Sequence, residues 1–330
     1  MTRSGPKRLL VTGGAGYIGS VITAQLVEAG HRVTVVDDMS TGHSDAVDGA
    51  ADFVEVDLLD RGQLFERLNG EWDAVVHLAA RSLVAESNQH PTTYFHHNVQ
   101  GAVNLLDLMR ERRVPRIVFS STAAVYGEPD QVPIDEDAPA RPTSAYGASK
   151  LAVDHMLGFA ARAHGIAATS LRYFNVAGAH AGRGERHAVE THLIPRVLAV
   201  AAGLGDAVDL YGTDYPTPDG TAIRDYIHVA DLGRAHLLAL ETPAGEHRVY
   251  NLGNGEGFSV LEVLETARRV TGHPIPARPR PRRPGDPARL IAASERARRE
   301  LGWSPERSGL ADMVGDAWAF MARGDGGDGA

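Results

Sequence analysis

The sequence predicts an α/β protein built on a doubly wound parallel sheet, followed by a second, smaller mixed α/β domain. Three observations carry this: short β-rich runs alternate with longer amphipathic segments, a glycine-rich turn joins the first pair, and the alternation breaks down after Asn175. Arg8 to Val11, Arg32 to Val36, Phe53 to Val56, Ala74 to His77, Arg116 to Ser120 and Ala168 to Arg172 read as strands. Between them, 17–29, 60–69, 92–113 and 144–164 have helical spacing and length. Regular alternation of this kind folds into right-handed βαβ units with parallel strands.

After Asn175 come a Gly- and His-containing loop over 177–190, helices near 191–203, 228–241, 259–271, 294–301 and 308–322, and strands near 208–211 and 248–252. Gly212 to Gly220 is a cluster of turn formers, and six prolines between Pro274 and Pro287 exclude a helix there. Gly324 to Ala330 reads as a frayed end. The expected division is one domain over 1–175 and another mainly over 176–330, with some segments of the second returning to the first.

At 330 residues there is room for one large or two modest domains, and 43% hydrophobic with 23% charged content excludes fibrous and wholly disordered architectures. A net charge of -9 opposes a phosphate backbone, so no nucleic-acid partner is expected. The absence of cysteine excludes disulfides, thiolate zinc sites and thiol nucleophiles, and fits a reducing compartment. The basic residues Arg3, Lys7 and Arg8 precede an apolar run cut at once by Thr12-Gly13-Gly14, too early for a signal-peptide core. No stretch approaches a membrane span, so a cytoplasmic protein without a membrane partner is expected. Among 33 basic residues only Lys7 and Lys150 are lysine, which marks Lys150 as a place where arginine does not suffice.

Gly13, Gly16 and Gly19 lie between the first strand and the first helix, with Tyr17 and Ile18 opening that helix. Missing side chains let the backbone approach a pyrophosphate, whose charge the amides of the helix N-terminus hold. A tight structural turn is the alternative; the strand-turn-helix context favours a Rossmann dinucleotide site. The second strand ends in Asp37-Asp38, where a carboxylate can accept both ribose hydroxyls and repel a 2′-phosphate, selecting NAD over NADP. A solvated turn before Ser40 is the other reading.

Tyr146 and Lys150 stand four apart at the start of a helix, on one face. An adjacent ammonium favours the phenolate, which makes Tyr146 a proton acceptor beside a hydride acceptor. Elsewhere such a pair is usually a surface pair. Ser120, Ser121 and Thr122 end a parallel strand at the edge where open α/β sheets bind ligands; Thr122 can bridge the phenol and a substrate hydroxyl, or all three can simply satisfy the turn.

GGAGYIGS, SSTAAVYG, YGASK, Leu171-Arg-Tyr-Phe-Asn175 and YPTPDGTAIRDYIHVADL together resemble the extended short-chain dehydrogenase/reductase superfamily, and within it the UDP-glucose 4-epimerase family, over nearly the whole chain. The resemblance implies a tightly held NAD, a UDP-sugar substrate and interconversion of UDP-glucose with UDP-galactose. It assigns Tyr146 as the base, Lys150 as its pKa-lowering and ribose-binding partner, and Thr122 as the bridging hydroxyl. Asp57 and Leu58 would flank the adenine, and Asn98 would lie in the cofactor pocket. Asn175, His192, Leu193, Tyr211, Arg224, Arg283 and Asp286 align with substrate contacts. As guanidinium forks, Arg224 and Arg283 suit a pyrophosphate, though outside that context both would be solvated loop arginines. Leu290 aligns with the gatekeeper beside the sugar 2-substituent, with core packing as its alternative. The family's dimer contact implies a homodimer through the helices near 92–113 and 144–164.

One departure is Ser82, beside Arg81, where some members place a lysine near the nicotinamide. His90, His96 and His97 lack a carboxylate at metal spacing, and no metal is expected. The resemblance implies that Tyr146 takes the 4-hydroxyl proton as hydride leaves C4, and that the 4-keto sugar turns before hydride returns. A 4,6-dehydratase or decarboxylase shares the first step, but dehydratases carry an acidic pair where Ala123 and Ala124 stand. A non-catalytic NAD-sensing regulator would not need Tyr146 and Lys150.

Overall fold

The computed structural model describes residues 5–188, 190–283 and 285–324; apart from Gly324, the tail read as frayed lies outside them. β1 (Arg8–Thr12) leads into α1 (Tyr17–Glu28), β2 (Arg32–Asp37), β3 (Asp52–Glu55), α2 (Arg61–Arg67), β4 (Ala74–His77), α3 (Val84–Gln89) and α4 (Pro91–Phe95). Then come α5 (Gly101–Glu111), β5 (Arg116–Thr122), α6 (Ala145–His164) and β6 (Ala167–Tyr173). These six strands and a seventh, His247–Leu252, form one sheet whose order runs from the seventh strand through β6, β5, β4, β1 and β2 to β3. Every neighbouring pair is parallel. The order reverses direction at β1, which makes the sheet doubly wound and opens a crevice beside the carboxyl end of β1.

The two-residue period of the strands explains why they are apolar almost throughout. Leu9, Val11, Val35, Val76 and Val118 face Ile22 and Leu26 of α1 and Leu232 and Ala235 of the helix Val229–Ala239. Leu10, Val36, Val75, Ile117 and Phe119 face Leu64 of α2, Leu105 and Leu108 of α5 and Val153 and Leu157 of α6. Both faces are covered, as a parallel sheet requires.

The segment expected as one helix over 92–113 is divided. A π-helical turn, His96–Gln100, joins α4 to α5 and carries the buried Asn98. Such single π turns insert one residue and re-aim the side chains around them. Beyond β6 a separate core forms from Val197 and Leu198 of the helix Leu193–Ala201, Val263 and Leu264 of Val260–Thr271, and Met313 and Val314 of Leu310–Gly324. The proline-rich segment contains a strand, Ala277–Arg280, parallel to Val208–Tyr211. Pro279 is tolerated because the ladder has only two strands, so the missing amide is needed by no second neighbour. Other short strands, Asn175–Ala177 with Tyr226–His228 and Ile223–Arg224 with Phe258–Ser259 and Arg289–Leu290, have too few residues for periodicity to show.

Two buried histidines make stability pH-dependent. His77 Nδ1 lies 2.7 Å from Thr12 Oγ1, while His236 donates from Nδ1 to the Leu232 carbonyl at 2.9 Å and sits 3.1 Å from Ser120 Oγ. Burial lowers them to about 3 and about 4. The fold keeps both neutral while the unfolded chain gains protons below about 6.5, so these residues withdraw stability as pH falls from about 6.5 towards 4. Each contributes at most about 1.4 kcal/mol per pH unit. Denaturant titrations at a series of pH values are expected to show a shallower slope in His236→Gln than in the parent; an unaltered slope would refute the assignment.

Candidate active site

The glycine turn is wound so tightly that each glycine has its own reason. Gly13 adopts φ +75°, and a Cβ there would lie 2.6 Å from the Ala79 nitrogen; on Gly19 it would lie 2.0 Å from the Gly13 carbonyl oxygen. At Gly16 the nearest atom to such a Cβ is 3.5 Å away, so this is the open side of the turn. α1 starts here with no capping side chain and no acidic residue in its first turn, leaving its amides for an anion. This cradle fits a dinucleotide pyrophosphate. Ile18 packs on the core, and the Tyr17 hydroxyl donates to the Gly178 carbonyl at 2.5 Å.

The structure separates the acidic pair at the end of β2. Asp37 is buried and accepts from the Ala15 and Met39 amides, each at 3.0 Å; burial raises its pKa and those amides oppose the rise. Asp38 is exposed and bonded to the Ser40 amide and hydroxyl, as the solvated-turn reading has it. Asp57 is exposed and caps its own turn through the Leu59 amide, whereas Leu58 is buried. Asn98, 3% exposed, accepts from the Arg81 amide and donates to the Arg81 carbonyl and Ser149 Oγ. It fastens the loop after β4, including Ser82, to α6.

On the catalytic side, Ser144 caps α6 by accepting from the Gly147 amide. Gly147 is required because a Cβ would come within 2.4 Å of the Ala124 carbonyl oxygen. That approach sets Tyr146 beside the end of β5, with the Thr122 side chain next to its phenol. Both are buried. Lys150, one turn on, donates to the Ser120 carbonyl at 2.8 Å and lies 4.7 Å over the Phe119 ring. Burial lowers its pKa to about 7, with Asp154 opposing.

These values correct one expectation. Rather than being drawn down by Lys150, the Tyr146 phenol is raised, chiefly by burial, with Tyr173 and Tyr94 adding and the nearby Thr122 hydroxyl opposing. A lysine itself near neutrality holds less charge than one at its ordinary pKa.

The aligned substrate residues all lie beyond β6 in the chain. Arg224 pairs with Asp286, the Arg283 guanidinium stacks 4.0 Å over the Tyr211 ring, and the Asp286 amide donates to the Arg283 carbonyl. Leu290 lies opposite Arg224 in a parallel pair and packs with Ala123, Tyr126 and Phe174. Asn175 donates to the Asp225 carbonyl at 3.0 Å. Asp225 itself is buried and accepts from the amides of Asn254, Gly255 and Ala292, which fixes the neighbouring Arg224; it lies within the YPTPDGTAIRDYIHVADL motif but was assigned no role from the sequence.

His192 precedes the helix that starts at Leu193, and its side chain turns away into a cluster with Glu185, His187 and Glu190. Hydrogen bonds with the carboxylates raise His187 to about 9; at His192 they outweigh burial and raise it to about 10. The sequence reading missed this cluster, although Glu-x-His-x-x-Glu-x-His is legible over 185–192.

A reversed parallel sheet, a glycine cradle at its switch point and a buried Tyr-Thr-Lys group at the same edge define a dinucleotide-dependent enzyme of the Rossmann class. Residues 9–253 match the NAD dependent epimerase/dehydratase family, and the chain belongs to it. It is 57% identical over 318 residues to the UDP-glucose 4-epimerase of Corynebacterium glutamicum, covering 96% of each chain. It is 55% identical over 316 residues to that of Streptomyces lividans, covering 95% of each. The crystal structure of UDP-glucose 4-epimerase from Bifidobacterium longum in complex with NAD+ and UDP is similar with a TM-score of 0.91 at 36% identity, covering 97% of this chain and 99% of that one. Among the described residues no helix is long and apolar enough to cross a membrane.

Proposed function

We propose that this enzyme interconverts UDP-glucose and UDP-galactose by NAD-dependent 4-epimerisation. The observation that carries the reading is the buried Tyr146 phenol, next to Thr122 and one helical turn from Lys150, at the sheet edge that bears the glycine cradle. Bound NAD, held by the glycine cradle and Asp37, would supply the hydride acceptor and donor for sugar C4.

The chain's own groups do the rest. Tyr146, its raised phenol brought down by the positive charge that a bound nicotinamide would add, accepts the proton of the 4-hydroxyl and later gives it back; Thr122 holds that hydroxyl against the phenol, and Lys150 supplies positive charge and a ribose contact. Gly13, Gly16, Gly19 and the amides at Tyr17 and Ile18 receive the pyrophosphate of NAD; Asp37 takes the adenosine ribose, and Leu58 the adenine. Arg224 and Arg283 fork the UDP phosphates, Tyr211 and Asp286 orient those forks, and Asn175, Leu193 and the backbone at His192 line the sugar-nucleotide path. Ala123 and Ala124, in the turn after Thr122, offer no carboxylate for elimination, which disfavours dehydration.

Incubation of the purified protein with UDP-galactose and no added NAD is expected to give UDP-glucose. Absence of product with NAD supplied would overturn the reading. Two finer proposals follow. Phe95 and Phe159, 42% and 68% exposed on α4 and α6, support a homodimer through these helices, which sedimentation of Phe159→Glu would test by loss of the dimer. Leu290 is shorter than tyrosine and leaves room beside the sugar 2-substituent, so slower conversion of UDP-N-acetylglucosamine is expected. Leu290→Tyr should abolish that conversion and spare UDP-glucose. An equal loss on both would place Leu290 in packing alone.

A further inference from the structure

The loop entering the helix Leu193–Ala201 brings together four metal-ligand side chains whose grouping the epimerase reaction does not require. His192 Nδ1 lies 2.8 Å from a carboxylate oxygen of Glu185 and 2.8 Å from one of Glu190; His187 Nδ1 lies 3.0 Å and 3.6 Å from the same two residues. One ligand atom from each, four in all, fit within 4.8 Å of one another. Around tetrahedral zinc, bonds of about 2.0–2.1 Å place neighbouring ligand atoms about 3.3 Å apart, inside the observed range. Calcium and magnesium prefer oxygen alone, whereas two imidazoles with two carboxylates suit zinc and its late first-row neighbours.

The surroundings hold the four side chains in place. Arg186, between the first two ligands, is turned outward to Asp45 with two contacts of 2.8 Å, and Arg183 pairs with Asp48 at 2.9 Å. His43 Nε2 lies 3.0 Å from the Arg186 carbonyl oxygen, and the His43 amide donates to the Ala15 carbonyl in the glycine turn. The loop's own arginines thus engage other carboxylates, and Glu185 and Glu190 face the imidazoles. Glu185 is the most enclosed, its side chain 11% exposed, and His192 the least at 46%, which leaves an entry from solvent.

We propose that Glu185, His187, Glu190 and His192 form a closed tetrahedral site for a divalent cation of the zinc class. With all four positions filled by protein, the site is structural. It would staple the loop that runs from Gly178, the acceptor of the Tyr17 hydroxyl, to the helix at Leu193. Without a cation the same atoms form imidazolium–carboxylate pairs, and the metal displaces those protons.

The test uses full-length protein freed of metal by chelator dialysis and titrated with Co2+. The expected result is a tetrahedral ligand-field band in the visible that saturates at one equivalent and is bleached by Zn2+. His187→Gln and Glu185→Gln should lose at least about a hundredfold in affinity, beyond the roughly 10–100-fold of outer-sphere changes. Each variant is first shown by circular dichroism to match the metal-free parent. A parent that gives no tetrahedral band would overturn the proposal, and so would folded variants that bind Co2+ as the parent does.

Discussion

Tyr146→Phe is expected to lose at least about a hundredfold in kcat while keeping its fold and its bound nucleotide, a loss on the scale of general acid–base catalysis. The substitution removes one oxygen from a side chain that is only 8% exposed, so the ring still fills its place between α6 and the end of β5. What disappears is the hydroxyl that exchanges the proton and that faces Thr122. KM should change little, because the UDP part of the substrate is held elsewhere. Turnover near that of the parent enzyme would sink the assignment of Tyr146 as the base.

Lys150→Arg should be impaired nearly as strongly, by on the order of a hundredfold, although it preserves a formal cation. The ammonium sits in a cramped position between the Ser120 carbonyl and the Phe119 ring, 3% exposed. A planar guanidinium does not fit that corner without displacing the Phe119 ring or giving up the Ser120 carbonyl. The burial that lowers Lys150 to about 7 also allows its charge to respond to what binds nearby, which an arginine, protonated at every working pH, does not reproduce. Steady-state rates for Lys150→Arg and Lys150→Met, compared at matched nucleotide occupancy, decide the matter. If arginine restores activity that methionine loses, only charge is needed at 150.

Much of the scaffold was legible because its signals are local. Six strand cores were placed to within a residue or two by runs such as Leu9-Leu10-Val11 and Val75-Val76, and the helix over Ala145–His164 by its spacing. Tyr146 and Lys150 stood out by spacing and by the scarcity of lysine. The π turn at His96–Gln100 was not legible, since it depends on a hydrogen-bond slip set by how Asn98 meets Arg81 and Ser149. The raised Tyr146 phenol was hidden for a related reason: sequence spacing gives the neighbours on one helix, whereas Tyr173 and Tyr94 reach the site from other elements. The motif at 185–192 was readable but was passed over among commoner histidines. The two-residue strands carry no periodicity at all.

The sheet's last strand, His247–Leu252, joins β6 more than seventy residues after β6 ends, a separation that matters while the chain is being made. Until that segment leaves the ribosome, β6 presents an open parallel edge of the kind that pairs with other chains. One face of the sheet also waits for Leu232 and Ala235, and finally for Trp303, before its apolar residues are covered. Pairing at long range makes folding slow and leaves partly folded chains prone to associate. Sequence order and assembly order therefore part company: the segment that looks complete at residue 175 depends on a strand and two helices that have yet to be synthesised, and a chain halted there should aggregate rather than persist as a folded dinucleotide-binding fragment.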